Sequence, residues 1–545
     1  MASRQHVHDG STPVVAMPTF SRNLGQNELS YYLPSRAYGL NDMFTRVIFR
    51  APPALASPFR LRVVWAIMRV QHSLLACQID MDPGCYDDAQ FVYTPPSSPK
   101  DAMEDAGRTL TIHDNKLGHE LDEDFISGRR KLSAHCLGRM DVARHGEVSP
   151  GIDEFHMSFT VLHAITDGTS THGNTILQFL GGSSTPDGPA RTDAELLQIL
   201  EMEWSKRWGK PRVEYEVITP AAEARLPRPR SRFELAIWRV DSQNVQRRAI
   251  GGHAFPRIAS ESTKQTLVEV KFDRAQTVAL VAKCQSERVT LQNTVFALCN
   301  FAWIRTAAAH PELVTAPKTL PMLFYTAISL RRHLAPISPL APAMSLALGY
   351  GNIILPAFIP SAPGVDVRKV FWLRARGVQA QMHKQTRSPM LLLPRAQILS
   401  FERGRRAKAF ARQDDEADGT LPRSSPAQTQ QTQQSQGDKK PPVQMQAPTI
   451  PSVALMSISH LGDLTSTYRA ERYPSIEFVD SVGHSRKAKG GILLFTRSAQ
   501  GCFSTMLEWD SAAFPPGLVE EFWGHFVGGV HEFILDGAPL AQVRL

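Results

Sequence analysis

The passage Glu154 to Leu180 constrains this chain more than any other. Phe155, Met157, Phe159 and Val161 alternate with His156, Ser158 and Thr160, the two-residue period of a strand with one buried face. Asp167-Gly168 then predicts a tight turn, and Ser170 to Leu180 predicts a short helix stopped by Gly181-Gly182. Between strand and helix stands His163-Ala-Ile-Thr-Asp167-Gly168. Parity continues the apolar face to His163, where the chain turns out of its strand. An imidazole there is partly screened from water yet can reach a cleft. Its ordinary pKa, about 6.5, lets it take a proton at neutral pH and return it later. Asp167 is placed to fix the local backbone through hydrogen bonds or a salt bridge. Gly168 keeps bulk out of the channel and allows a positive φ. A bare His-x-x-x-Asp spacing is common by chance; the strand before it, the Asp-Gly closure and the helix after it give the spacing meaning.

The rest of the chain divides around this passage. Residues 1–35 are polar and proline-containing, and an irregular lead-in is expected. Leu61, Val64, Trp65, Met68 and Leu75 recur at helical spacing, predicting a buried amphipathic helix over Phe59 to Leu75. A helix is predicted at about 192–208. Proline and arginine dominate 219–232, so the crossover between an N-terminal lobe (36–215) and a C-terminal lobe (261–545) is placed over 216–260. The second half alternates strands and helices, with strands near Thr266 to Phe272, Leu320 to Leu330, Ser452 to Ser459 and Gly491 to Thr496. Residues 404–450 break the pattern with a basic cluster (Arg403, Arg405, Arg406, Lys408), an acidic one (Asp414, Asp415, Glu416, Asp418) and a glutamine run, a composition that predicts a disordered insertion.

Composition narrows the function classes. With 545 residues, 42% hydrophobic and 21% charged, the chain is ordinary for a globular protein with more than one lobe. The formal charge of +8 is spread thinly, and no basic tract interleaved with aromatics or RNA-recognition signature points to nucleic acid. The six cysteines form no CxxC pair, the N-terminal MASRQHVHDG lacks the apolar core of a signal peptide, and apolar stretches stop short of a membrane span. A cytoplasmic location is therefore expected. His156, His163, His172 and Asp167 are the candidates for a metal site. His156 and His163 differ by an odd number along a strand and should face opposite sides, and neither HExxH nor zinc spacing is present, so no metal is expected. Without a GxSxG elbow, P-loop or GxGxxG, the serine-hydrolase, NTPase and dinucleotide readings have no anchor.

The His163-to-Gly168 element resembles the HxxxDG motif of the chloramphenicol acetyltransferase-like superfamily, which includes fungal alcohol and trichothecene acetyltransferases, plant BAHD acyltransferases and condensation domains of nonribosomal peptide synthetases. Arg69-Val-Gln-His72-Ser-Leu74-Leu75 resembles the family's early helix-to-strand segment, Ser329-Leu330-Arg331-Arg332 its Leu-Arg strand end, Gly351-Asn352 its Gly-Asn step, and Ser457-Ile-Ser459-His-Leu-Gly462 a late serine-containing strand. The resemblance implies an α/β fold with two sheet-and-helix lobes and a central tunnel. It implies His163 as general base and Asp167 as an orienting group paired with Arg331, with Arg332 behind it. Ser457 or Ser459 would donate to the oxyanion. Acyl-CoA is the implied co-substrate, with no tightly bound cofactor, and the acceptor an alcohol or amine. Two departures stand out: the plant DFGWG element is absent, and Leu162 replaces the first histidine of the condensation-domain motif. No carrier-protein or adenylation segment accompanies the chain, which favours coenzyme A as the expected carrier. The alternatives are a condensation-type enzyme using a carrier-protein thioester and a non-catalytic ligand-binding relative. Oligomeric state is open.

Overall fold

The computed structural model describes residues 17–114, 116–168, 172–185, 188–209, 217–314, 316–335, 344–422, 451–535 and 543–544. Two large sheets organise them. The first runs in spatial order Glu477–Ser485, Met43–Ala51, Ile152–Val161, Gly138–Ser149 and Leu110–His113; only the last pair is parallel. The second runs Leu348–Leu355, Met322–Ser329, Ala454–Asp463, Ile492–Ala499, Cys502–Asp510, Gln265–Lys271 and Val543–Arg544. Its strand Ala454–Asp463 is parallel to both neighbours. A small third sheet joins Phe20–Asn23, Gln90–Tyr93 and Gln78–Asp80.

Each large sheet has its own core. Helix Pro58–Gln71 lies beside the first, capped by the Ser57 hydroxyl and started by Pro58, whose missing N–H costs nothing there. It places fully buried Trp65 against Phe159, ring centroids 6.3 Å apart. In the second core, helices Leu291–Ala309 and Leu518–Phe533 bring Phe301 edge-on to Phe533 at 5.3 Å. The α/β architecture is the expected one. A buried charged cluster joins the sheets: His484 Nδ1 lies 2.7 Å from Glu508, and Lys487 Nζ 2.5 Å from the same carboxylate. Burial pulls the His484 pKa down, but Asp122 and Glu508 outweigh it and hold it up at about 9.

Several sequence expectations need correction. Residues 17–35 are not irregular: they form Phe20–Asn23 and most of helix Gln26–Tyr38, whose Leu29, Tyr31, Tyr32 and Leu33 are buried on nearly every side, so no amphipathic period marks it. The crossover contains helix Arg232–Arg247. The expected insertion begins inside a helix, Pro389–Ala417. Arg405, Arg406 and Asp414 lie on its solvated face, while Gly404, Ala407 and Ala411 make the packed stripe and Arg403 and Asp415 turn inward. A Cβ at Gly404 would sit 2.3 Å from Gln26 Oε1, so only glycine lets the two helices cross this closely. Residues 423–450, including the glutamine run, lie outside the described residues. Finally, Ile152–Val161 is buried on both faces, with Ser158 and His156 as enclosed as Phe155, because helix Gly118–Ile126 packs on the sheet.

Candidate active site

His163 stands just past the end of its strand. The Leu162 N–H still donates to Leu137 O at 2.9 Å, and the Ile165 N–H to Leu162 O at 3.1 Å closes a turn that swings the imidazole out of the sheet. His163 Nδ1 lies 2.9 Å from Thr166 O. A carbonyl can only accept, so Nδ1 carries the proton and Nε2 keeps its lone pair. Among the described residues Nε2 has no protein partner, and the ring lines a cavity of about 510 Å³ between the two sheets. Tyr31 stacks on the imidazole, centroids 4.1 Å apart at 29°. Burial lowers the His163 pKa; the Asp167 charge opposes this and the Arg403 charge adds to it. The imidazole is therefore neutral at physiological pH.

Asp167 is fully buried. Its Oδ2 accepts from Arg331 Nη2 and from the Ala347 N–H, both at 2.9 Å, and Arg331 Nη2 also donates to Ser345 O at 2.6 Å. The carboxylate thus pins the His163 turn to the chain entering strand Leu348–Leu355 of the other sheet. The ring itself is oriented by Thr166 O and Tyr31, so Asp167 acts on it one step removed. Arg332 is exposed. Gly168 does not adopt a positive φ; a Cβ there would meet Leu461 Cδ2 at 2.9 Å, which is the crowding that its missing side chain avoids. Ser457 and Ser459 both line the His163 cavity from strand Ala454–Asp463.

A second cavity, of about 520 Å³, adjoins the first and shares Tyr325, Tyr350 and Arg403 with it. Arg403 reaches in from helix Pro389–Ala417 to the boundary that the two chambers share. Sequence reasoning missed Tyr31, Tyr325 and Tyr350, and placed Arg403 in a surface cluster. Arg69 is structural: it donates to Leu75 O and pairs with Asp105. His156 and His163, expected on opposite sides of the strand, have separate partners. His156 Nε2 faces Glu154 at 3.2 Å and its Nδ1 faces Arg46 at 2.8 Å. His145, Glu154 and His156 are the one group of converging metal-ligand atoms among the described residues, and Arg46 already occupies Nδ1 of His156. The side chain of His172 lies outside the described residues.

Comparison with known proteins was made at two levels. No protein-family description matches the sequence, and no curated protein does. Solved structures do. Trichothecene 15-O-acetyltransferase TRI3 from Fusarium sporotrichioides superposes with a TM-score of 0.67 at 12% identity over 95% of each chain. The chain has the chloramphenicol acetyltransferase-like fold. Polyketide synthase associated protein 5 from Mycobacterium tuberculosis gives a TM-score of 0.52 at 13% identity, covering 95% of this chain and 98% of that one. The condensation domain of the Monacolin K polyketide synthase MokA gives 0.50 at 12% identity, covering 96% and 99%. In this two-lobed fold the cleft between the sheets is where His163 lies. No helix among the described residues is long and apolar enough to cross a membrane.

Proposed function

We propose that the protein transfers an acyl group from acyl-CoA to an alcohol or amine, with His163 Nε2 as general base. The observation that carries this reading is the Nδ1–Thr166 hydrogen bond, which leaves Nε2 as a free base on a neutral ring in a ligand-sized cavity. Nε2 removes the proton from the acceptor hydroxyl or amine as that atom attacks the thioester carbonyl. The carbonyl becomes a tetrahedral oxyanion, for which Ser457 and Ser459 are the nearby strand hydroxyls on offer. Collapse breaks the C–S bond, and the imidazolium returns its proton to the leaving thiolate. Holding both substrates in one enclosed space replaces a bimolecular encounter with an oriented one. The superposed acetyltransferase and condensation domain support acyl transfer as the reaction class; the choice of coenzyme A as carrier is this reading's own.

The test is coenzyme A release from acetyl-CoA across a panel of alcohols and amines, by wild type and His163→Ala. Loss of the base should slow turnover about a hundredfold or more. A mutant as active as wild type would remove His163 from the chemistry. Turnover restricted to carrier-protein thioesters would replace the donor.

A further inference from the structure

Arg403 is the one cation among the described residues that the two chambers share, and its surroundings are unusual. Its Cζ lies 4.1 Å above the Tyr350 ring and 5.4 Å above the Tyr31 ring. Its single hydrogen bond to the described residues, Nη1 to Tyr325 Oη, is 3.3 Å, at the weak end of the range. Nε is buried with no partner. Among the described residues no carboxylate pairs with the guanidinium. The three tyrosines do not neutralise it either, because burial raises each phenol above its ordinary value and keeps it protonated at neutral pH. Cation–π contact offsets part of the lost hydration, yet a guanidinium taken from water without a counter-anion remains poorly compensated.

The second chamber continues this chemistry. No Asp or Glu is among the described residues lining it, while Arg395 and Arg406 join Arg403 from the same helix. Arg395 is spent on Asp241, at 2.6 and 3.0 Å, so Arg403 is the deep cation left to meet a ligand. Leu323, Ile328, Leu392, Leu399 and Phe410 form an apolar part of the wall, beside the uncharged polar side chains of Ser242, Gln246, Asn352 and Gln385. Such a chamber disfavours a cation and suits an apolar body that carries one negative charge. Arg presents a planar fork of donors matched to a carboxylate.

We propose that the second chamber binds an amphiphilic organic carboxylate, its carboxylate on Arg403 and its apolar body along the Leu392–Phe410 face. Calling that ligand the substrate rests on the acyl-transfer reading; its binding does not.

Isothermal titration of the full chain with straight-chain monocarboxylates, butanoate to decanoate, and their matched primary amides tests this. Wild type should bind the better carboxylates at least about tenfold more tightly than the amides, as a charge-assisted fork implies. Arg403→Met should erase the preference, and Arg403→Lys should retain part of it and report whether the site still folds. His163→Ala should keep it in full. A silent enzyme with this pattern would sink acyl transfer and leave the carboxylate site standing. Equal binding of acids and amides by wild type, or a preference that survives Arg403→Met, would overturn the proposal. So would Arg403→Met weakening coenzyme A while the carboxylates do not bind, because the anion would then be a donor phosphate.

Discussion

Two arginines belong to the surroundings of the His163 turn and are used differently. Arg331 meets Asp167, a carboxylate with no exposed surface, and shares it with a backbone N–H. Arg403 meets only aromatic rings and one phenol oxygen. A buried charge with a charged partner is hard to remove because its partner is stranded; a charge without one strands nothing when it leaves. Arg331 therefore belongs to the frame that holds the two sheets in register, and Arg403 is free to serve a ligand.

This contrast can be broken experimentally. The largest effect should come from the frame: Asp167→Ala leaves the Arg331 guanidinium and the Ala347 N–H without their acceptor, and should cost about 3–5 kcal/mol in denaturant unfolding. Arg331→Met takes this cation from the fully buried Asp167 carboxylate and should destabilise by a similar amount. Arg403→Met should change stability by less than about 1 kcal/mol in the same measurement, in either direction. If it costs as much as Asp167→Ala, the two arginines are both structural and the comparison fails.

The smallest effects are shifts in the acid limb of the pH–rate profile. Burial holds the His163 pKa below its ordinary value, so kcat/KM should rise through that lowered value to a plateau by neutral pH. Arg403 also lowers it, so Arg403→Met should move the limb to higher pH. Asp167 raises it, so Asp167→Asn should move the limb to lower pH. Shifts in the same direction would mean that neither charge is felt at the ring. The two substitutions are best compared at low salt, where screening is weakest.

What the sequence made legible follows from how local the signal is. The His163 turn was readable because its strand period, its Asp-Gly pair and the helix after it are contiguous. Arg331 was found because it follows a strand end with a recognisable Leu-Arg step. Tyr31 and Arg403 were not, since each gains its place only when helices distant in sequence cross at Gly404, and a single glycine in a charged run carries no visible signal. Met43–Ala51 was hidden by Arg46 and Arg50, which sit in a sheet only because Asp122 and Glu154 pair with them. Gly138–Ser149 was hidden by its polar residues and by irregularities near Gly146 and Ser149 that break the two-residue period. Glu477–Ser485 buries Asp480, Ser481 and His484, and so reads as a loop.

That last strand has a mechanical consequence. It leaves the second half of the chain to lie antiparallel along Met43–Ala51, in register from Glu477 opposite Arg50 to Ser485 opposite Met43. Severing the polypeptide between its halves would leave one fragment missing a sheet edge and the other carrying an orphaned ribbon. Prising the cleft apart would first have to peel that ribbon away.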